Sequence, residues 1–344
     1  MTVSAVMPVH ADTATFRRAV AAVAAADPPF HEVIVACDGP APGAAEAARA
    51  AGARVIARAV PEGPAAARNA GAREAAGDVL FFVDSDVAVR PDVVSRIREA
   101  MSPPDVDAVV GLYDDRPPAP NFLSQYKNLL QRFIHLTARP AGTSFWGACG
   151  AVRREAFRAV GGFDERFRTP SVEDIDLGYR LTNAGFHVQF TEHLEVTHLK
   201  RWTLVSLLES DILRRAVPWT WLLMRESKIY PDLNLRYRHR AAGAAAFLLV
   251  AALALSWARP LALWLAAASV TLLVGIDRPM WRFFRARRGP RFASAAIAWH
   301  WVYYLYSTLT LLVAVLLYPF VGRRAVGARW RRPALDRIER HDPT

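Results

Sequence analysis

Four short runs of apolar and β-branched residues recur near the front of the chain, and a stretch of helical character follows each of them. Val3 to Pro8 reads as a buried strand and Thr13 to Ala26 as a helix. Glu32 to Cys37 precedes a helix over Gly43 to Ala51, Arg54 to Ala57 precedes Pro64 to Ala76, and Val79 to Val83 precedes Pro91 to Met101. Parallel strands need a crossover between them, so this alternation predicts a parallel sheet covered by helices on both faces. Pro28, Pro29 and Gly39-Pro40 punctuate it as loops.

In such a sheet, ligands bind beyond the carboxyl ends of the strands. Pro8-Val9-His10 follow the first run, Asp38-Gly39 the second and Asp84-Ser85-Asp86 the fourth. The first run is not followed by GxGxxG, which argues against a dinucleotide-binding oxidoreductase. Strand alternation lets Asp84 and Asp86 face one side. Two carboxylates so placed suit Mg²⁺ or Mn²⁺ carrying a diphosphate, although a solvated Asp-x-Asp turn is the plainer reading. Further on, Glu173-Asp174-Ile-Asp176 opens a helix after the loop Gly161-Gly-Phe-Asp164-Glu165. Acidic residues in a first turn complement the helix dipole. A carboxylate there can also take a proton from an attacking hydroxyl.

The last third has a different character. Ala241 to Trp257, Pro260 to Ile276 and Ala293 to Phe320 are apolar runs separated by arginine-rich segments. A spanning helix needs about 20 apolar residues, so the first two are marginal and suit a short hairpin, and the third is ample. Trp202 to Met224 mixes apolar and charged residues, as either an interfacial helix or an ordinary amphipathic helix does. The formal net charge is +11. Its arginines cluster beside the apolar runs, at 236–240, 282–291 and 323–332, which favours a membrane surface over nucleic acid. The front shows no signal-peptide pattern and is expected to stay in the cytoplasm. Three spans would then put the basic tail outside, against the positive-inside tendency, unless one run is re-entrant or interfacial. The two cysteines, Cys37 and Cys149, have no metal-binding or disulfide-framework spacing and read as buried side chains in a reducing compartment.

Taken in order, five segments resemble glycosyltransferase family 2, the inverting enzymes of GT-A fold. They are Val3-Ser-Ala-Val-Met-Pro8-Val-His10, Val33-Ile-Val-Ala-Cys37-Asp38-Gly39, Gly63 through Arg68-Asn69-Ala-Gly71 to Asp84-Ser-Asp86, Gly161-Gly-Phe-Asp164-Glu165, and Glu173-Asp174-Ile-Asp176-Leu. The resemblance implies an α/β fold with a GT-A type Rossmann-like mixed sheet flanked by helices, followed by a helical, membrane-embedded C-terminal region. It divides the chain into a GT-A domain over 1–200, amphipathic interfacial helices over 201–240, two to three transmembrane helices over 241–321, and a basic tail over 322–344. It also implies site roles. Pro8, His10, Asp38, Arg68 and Asp84 would bind the nucleotide sugar. Asp86, with Asp84 and His198, would hold Mn²⁺ or Mg²⁺. Asp174 would be the general base, with Glu173 beside it. A lone His is as readily structural, so His198 keeps both readings.

This chain departs from the family pattern in three places. Cys37 stands where a second acidic residue is common, Pro40 replaces a small hydroxyl residue, and His10 replaces an aromatic one. The Gln-x-x-Arg-Trp motif of the processive polymer synthases is reduced to Trp219 in Arg215-Ala-Val-Pro-Trp219. The expected activity is non-processive, metal-dependent, inverting transfer from a nucleotide sugar, a UDP-sugar first, to a lipid or lipid-linked acceptor. Its expected place is the cytoplasmic membrane, multi-pass, with the catalytic domain in the cytoplasm and no nucleic acid involved. A polyprenyl-phosphate sugar synthase and a catalytically silent membrane assembly scaffold remain as rivals.

Overall fold

The computed structural model describes residues 1–226 and 237–325. The basic tail expected over 322–344 is therefore described only to Ala325, and 227–236 of the interfacial segment lies outside the described residues.

The predicted alternation is present. Strands β1 (Val3–Val9), β2 (Glu32–Cys37), β3 (Arg54–Ala57) and β4 (Val79–Val83) run parallel in the order β3-β2-β1-β4. Helices α1 (Ala14–Ala24), α2 (Pro42–Ala50) and α3 (Pro64–Glu74) connect them. Thr13 caps α1, its hydroxyl accepting the Phe16 N–H at 3.0 Å. Every residue of β1 and β4 is buried, as expected of strands packed on both faces.

Past β4 the sheet stops being parallel, which the strand–helix alternation did not foretell. A short strand β5 (Val87–Val89) and helix α4 (Val93–Ala100) lead into β6 (Ala108–Tyr113), then α5 (Phe122–Leu136), β7 (Ala141–Gly142) and β8 (Cys149–Arg153). Helices α6 (Arg154–Ala159) and α7 (Glu173–Asn183) precede β9 (Val188–His198). β8 inserts antiparallel between β4 and β6, β9 lies parallel to β6, and β5 closes the edge antiparallel to β9. The result is the mixed sheet that the family resemblance implied. β8 is antiparallel to both of its neighbours, while β6 and β9 keep the direction of β4.

Beyond the sheet come α8 (Leu204–Glu209), a π-helical stretch Ser210–Ala216, and α9 (Val217–Glu226). Helices α10 (Tyr237–Ser256) and α11 (Ala262–Leu317) follow. Among the described residues, Arg238–Ser256 and Ala262–Ala325 are long and apolar enough to cross a membrane. α11 is broken at Gly289, whose φ of +81° is left-handed, with Pro290 next to it. Its arms fold back on each other: Asp277 accepts from Trp301 Nε1 at 2.9 Å and from the Tyr304 hydroxyl at 2.8 Å.

The third apolar run is therefore the second arm of a bent helix. Several of its residues meet the front of the protein, while Leu309, Leu312, Leu316 and Phe320 are exposed. Phe292 packs on Phe122 with ring centroids 5.5 Å apart, and His300 Nδ1 lies 2.7 Å from the Tyr126 hydroxyl. Tyr306 donates to Asp211 at 2.8 Å, and Trp221 Nε1 donates to the Ala314 carbonyl at 2.8 Å. The arginine-rich bend turns back as well, with Arg288 Nε donating to Gln125 Oε1 at 2.8 Å.

Candidate active site

The site is built where β1, β2 and β4 end. Gly63 opens α3 with φ +98°, and a Cβ there would lie 2.3 Å from the Arg168 carbonyl oxygen, so only glycine fits. The resulting helix aims Arg68 inward, where it is 5% exposed. Arg68 Nη2 donates to Asp84 Oδ1 at 2.6 Å and its Nη1 to Glu173 Oε1 at 2.8 Å. One guanidinium thus ties the end of β4 to the start of α7, with Arg68 and Glu173 105 residues apart in sequence. Burial opposes its charge, but the two carboxylates outweigh that and hold Arg68 above its ordinary pKa. Asp84 is raised, first by burial and then by the nearby Asp86 charge, against the pull of Arg68.

Asp84-Ser85-Asp86 leaves the strand in a turn, with the Val87 N–H donating to the Asp84 carbonyl at 3.1 Å. The two carboxylates are therefore not set on one side by strand alternation, as the sequence suggested. Each is held by its own partner. Asp86 meets His198, with Oδ2 and Nε2 3.5 Å apart. The edge strand produces this meeting: β5 pairs with β9 in the register Val87 to His198, and the Leu199 N–H donates to the Asp86 carbonyl at 2.8 Å. The Tyr113 ring stacks on His198 with centroids 4.4 Å apart and planes 4° from parallel, fixing the imidazole. Burial raises Asp86, but the His198 contact and the Lys200 charge outweigh it and leave its pKa lowered.

Asp174 stands in the first turn of α7. Its Oδ2 accepts the Gly147 N–H at 3.2 Å and its Oδ1 the Ile175 N–H at 2.8 Å. Burial, and then the Glu173 charge, raise its pKa to about 6, against the cations Arg215 and Arg68. The same helix is anchored on its other side. Asp176, 1% exposed, takes Arg180 Nε at 2.8 Å and also pairs with Arg225 of α9.

Pro8 is buried at the end of β1 and His10 is exposed just past it. Asp38 follows the neighbouring β2, and its two oxygens accept the N–H groups of Glu62 and Gly63, both at 2.8 Å. It braces the loop that launches α3, and so bears on Arg68.

Among the described residues no group of three or more His, Cys, Asp or Glu side chains forms a ready-made metal cage. Asp84, expected at the metal as well as at the nucleotide, has its Oδ1 on Arg68. Asp86 and His198 do converge. A hard divalent ion takes one or two protein ligands and completes its shell from substrate phosphates and water, so this pair fits such an ion bound together with a diphosphate. Two surface cavities of about 350 and 290 Å³ flank Gly161–Glu165. Asp84, Asp86 and Asp174 line neither of them, so neither is this site.

Several contributors escaped the sequence reading. Asn69 fastens the Gly161–Glu165 loop, its amide donating to the Phe163 carbonyl at 2.8 Å and its Oδ1 accepting the Phe163 N–H at 2.8 Å. Gly147 lies under Arg68, where a Cβ would sit 3.0 Å from the guanidinium carbon. Tyr113, Lys200 and Arg215 complete the surroundings. Only Arg215 had carried a signal, through its place near the incomplete Gln-x-x-Arg-Trp pattern.

The mixed sheet and its flanking helices form a fold of GT-A type. Residues 4–161 match the model of glycosyl transferase family 2, and residues 129–202 match the N-terminal domain of galactosyltransferase. Over this domain the chain is similar to glycosyltransferase family 2. A pre-mycofactocin glycosyltransferase of Mycobacterium tuberculosis is 32% identical over 149 residues, covering 42% of this chain and 31% of that protein. An N-acetylglucosaminyl-diphospho-decaprenol L-rhamnosyltransferase of the same organism is 44% identical over 72 residues, 20% of this chain and 22% of that one. The chain spans less than a third of the length of these relatives. The mannosyltransferase PcManGT of Pyrobaculum calidifontis, solved with GDP-Man and Mn²⁺, superposes with a TM-score of 0.56 at 17% identity. It covers 92% of this chain and 87% of its own, a likeness of fold that extends past the catalytic domain.

Proposed function

We propose that the protein transfers a sugar from a nucleotide-sugar donor to a lipid or lipid-linked acceptor at the cytoplasmic face of a membrane, in one inverting displacement and without processivity. The observation that supports this reading is the Arg68 bridge, which ties Asp84, two residues from Asp86, to Glu173, the neighbour of Asp174.

Asp174 is half-buried, and its pKa of about 6 leaves it ionised yet basic at neutral pH, suited to drawing the proton from an acceptor hydroxyl. Glu173, held by Arg68, keeps the start of α7 in place and raises the basicity of its neighbour. Asp86 and His198 would hold Mn²⁺ or Mg²⁺, which supplies charge neutralisation to the departing diphosphate. Pro8, His10 and Asp38 border the end where the nucleotide would lie, and a UDP-sugar is the first donor to try.

The helical region supports a membrane setting. Exposed Phe247, Leu253, Trp257, Leu261 and Trp264 line α10, the first arm of α11 and the turn between them. In this reading α10 and the first arm cross as a hairpin, while the second arm rests at the interface beside the catalytic domain. The arginine-rich bend and Arg323-Arg324 then stay on the catalytic side, and the conflict with the positive-inside tendency disappears. A polyprenyl-phosphate acceptor is the second reading, and the relative that acts on a diphospho-decaprenol substrate favours a lipid of that type.

The test is nucleotide-sugar turnover by the detergent-purified protein across UDP-, GDP- and dTDP-sugars, with and without Mn²⁺. Metal-dependent release of nucleoside diphosphate from one donor, lost in Asp86→Ala, is the expected result. No release from any donor, together with full function of Asp86→Ala in cells, would favour the scaffold instead.

A further inference from the structure

β6 and β9 pair with a break in register. Val110 lies opposite Phe190, yet Leu112 lies opposite Glu195, so β9 carries extra residues between the two pairs. Gly111 sits at the break, where a Cβ would lie 2.3 Å from the Leu194 carbonyl oxygen and 2.6 Å from Cys149 Sγ. Extra residues of this kind re-aim the side chains that follow them. Here they bring Val196 opposite Tyr113, and His198 then falls against the Tyr113 ring and opposite Val87 of β5.

A column of buried rings stands on that break. His198 stacks on Tyr113, with the planes 4° from parallel. Trp146 meets Tyr113 edge to face with centroids 4.6 Å apart, and His135 meets Trp146 in the same way at 4.6 Å. His135 Nδ1 lies 3.0 Å from the Gly111 carbonyl oxygen, so the chain of contacts returns to β6 beside its starting point. A histidine that ligates a metal is ordinarily oriented by a hydrogen bond at its other ring nitrogen. Among the described residues His198 has its one polar side-chain contact at Nε2, with Asp86. A stacked ring restrains the same rotation and leaves both nitrogens free at the ring edge.

We propose that Tyr113, backed by Trp146, is a positioning residue for the Asp86–His198 pair. Its ring holds the imidazole in the plane that keeps Nε2 towards Asp86, and so sets the affinity for a divalent ion shared by the two. This rests on the transferase reading of that pair and assigns its support to β6, a strand that carries neither ligand. The ring carries the role and not the phenol hydroxyl, because stacking needs only the flat face.

The test uses the full chain in nanodiscs with UDP or GDP present. Free Mn²⁺ is counted by electron paramagnetic resonance, and the histidine contact is read from the nitrogen coupling of bound Mn²⁺. Tyr113→Leu should weaken Mn²⁺ binding by about ten- to a hundredfold, the range for groups that orient a metal-ligating histidine, and should reduce the nitrogen coupling. Tyr113→Phe should match the wild type in both readouts. Affinity for metal-free nucleotide should be the same in all three proteins, which separates a misplaced imidazole from a general loss of fold. Trp146→Leu is the second variant, with a smaller loss of Mn²⁺ affinity in the same direction. Wild-type affinity and coupling in Tyr113→Leu overturn the proposal. So does an equal loss in Tyr113→Phe, which would hand the role to the hydroxyl. If Mn²⁺ binding responds to these variants as expected but the wild type transfers sugar from no donor, the transferase reading fails and the positioning role stands.

Discussion

Replacing Asp174 by Asn changes one atom, and its consequences can be worked out with sign. The carboxyl rises from 3.8 to about 6, chiefly because burial disfavours its charged form and then because Glu173 repels it. That difference corresponds to at most about 3 kcal/mol, an upper bound because the half-buried group is still partly screened by water. With the folded pKa above the unfolded one, the stability contributed by the neutral acid is complete below about pH 4. It is lost as pH rises through 6. The amide of the Asp174→Asn variant cannot ionise, so that variant should melt higher than the wild type at pH 7.5 and at nearly the same temperature at pH 4. Activity should move the opposite way. Transfer to a hydroxyl acceptor needs the ionised base, so wild-type kcat/KM should rise with unit slope up to about pH 6 and then level off. Asp174→Asn should lose about 10²- to 10⁴-fold. Stopped-assay pH profiles between 4.5 and 8.5, paired with thermal melts of the same samples, measure both. A flat wild-type profile across pH 5 to 7, or an Asn variant that is active and no more stable at pH 7.5, would refute the assignment of Asp174.

Arg68→Met leaves Asp84 and Glu173 as facing carboxylates without their shared cation, which should cost about 3–5 kcal/mol in denaturant unfolding; an unchanged midpoint would mean that the bridge is not formed. His198→Ala should raise the concentration of Mn²⁺ needed for half-maximal turnover while leaving the affinity for metal-free nucleotide alone, and a metal titration with identical midpoints would remove His198 from the metal site.

Much of the catalytic half is legible in the sequence for a simple reason. Strands buried on both faces must be continuously apolar, and the connecting helices must be amphipathic, so β1 to β4 and α1 to α3 announce themselves by pattern alone. β8 and β9 do not, because their identity as strands depends on neighbours brought in from far away. The site divides in the same way. Asp84, Asp86, Glu173 and Asp174 stand out as acidic residues at element ends, and motif order alone singles out Arg68. What each carboxylate does is not local. Only the β5–β9 register sets His198 beside Asp86, and only the meeting of Arg68 with both Asp84 and Glu173 makes it the bridge between them.

By itself the amino-acid order determined a parallel α/β front, an apolar rear with arginine-rich separators, and the carboxylates that face the cleft, since these follow from periodicity and from the chemistry of single residues. Tertiary structure decided the rest. It inserted β8 antiparallel between β4 and β6, and it broke α11 at Gly289 so that its arms fold back on each other. Such outcomes depend on which distant groups meet, and pairing energies over long separations in the chain leave no local signature to read.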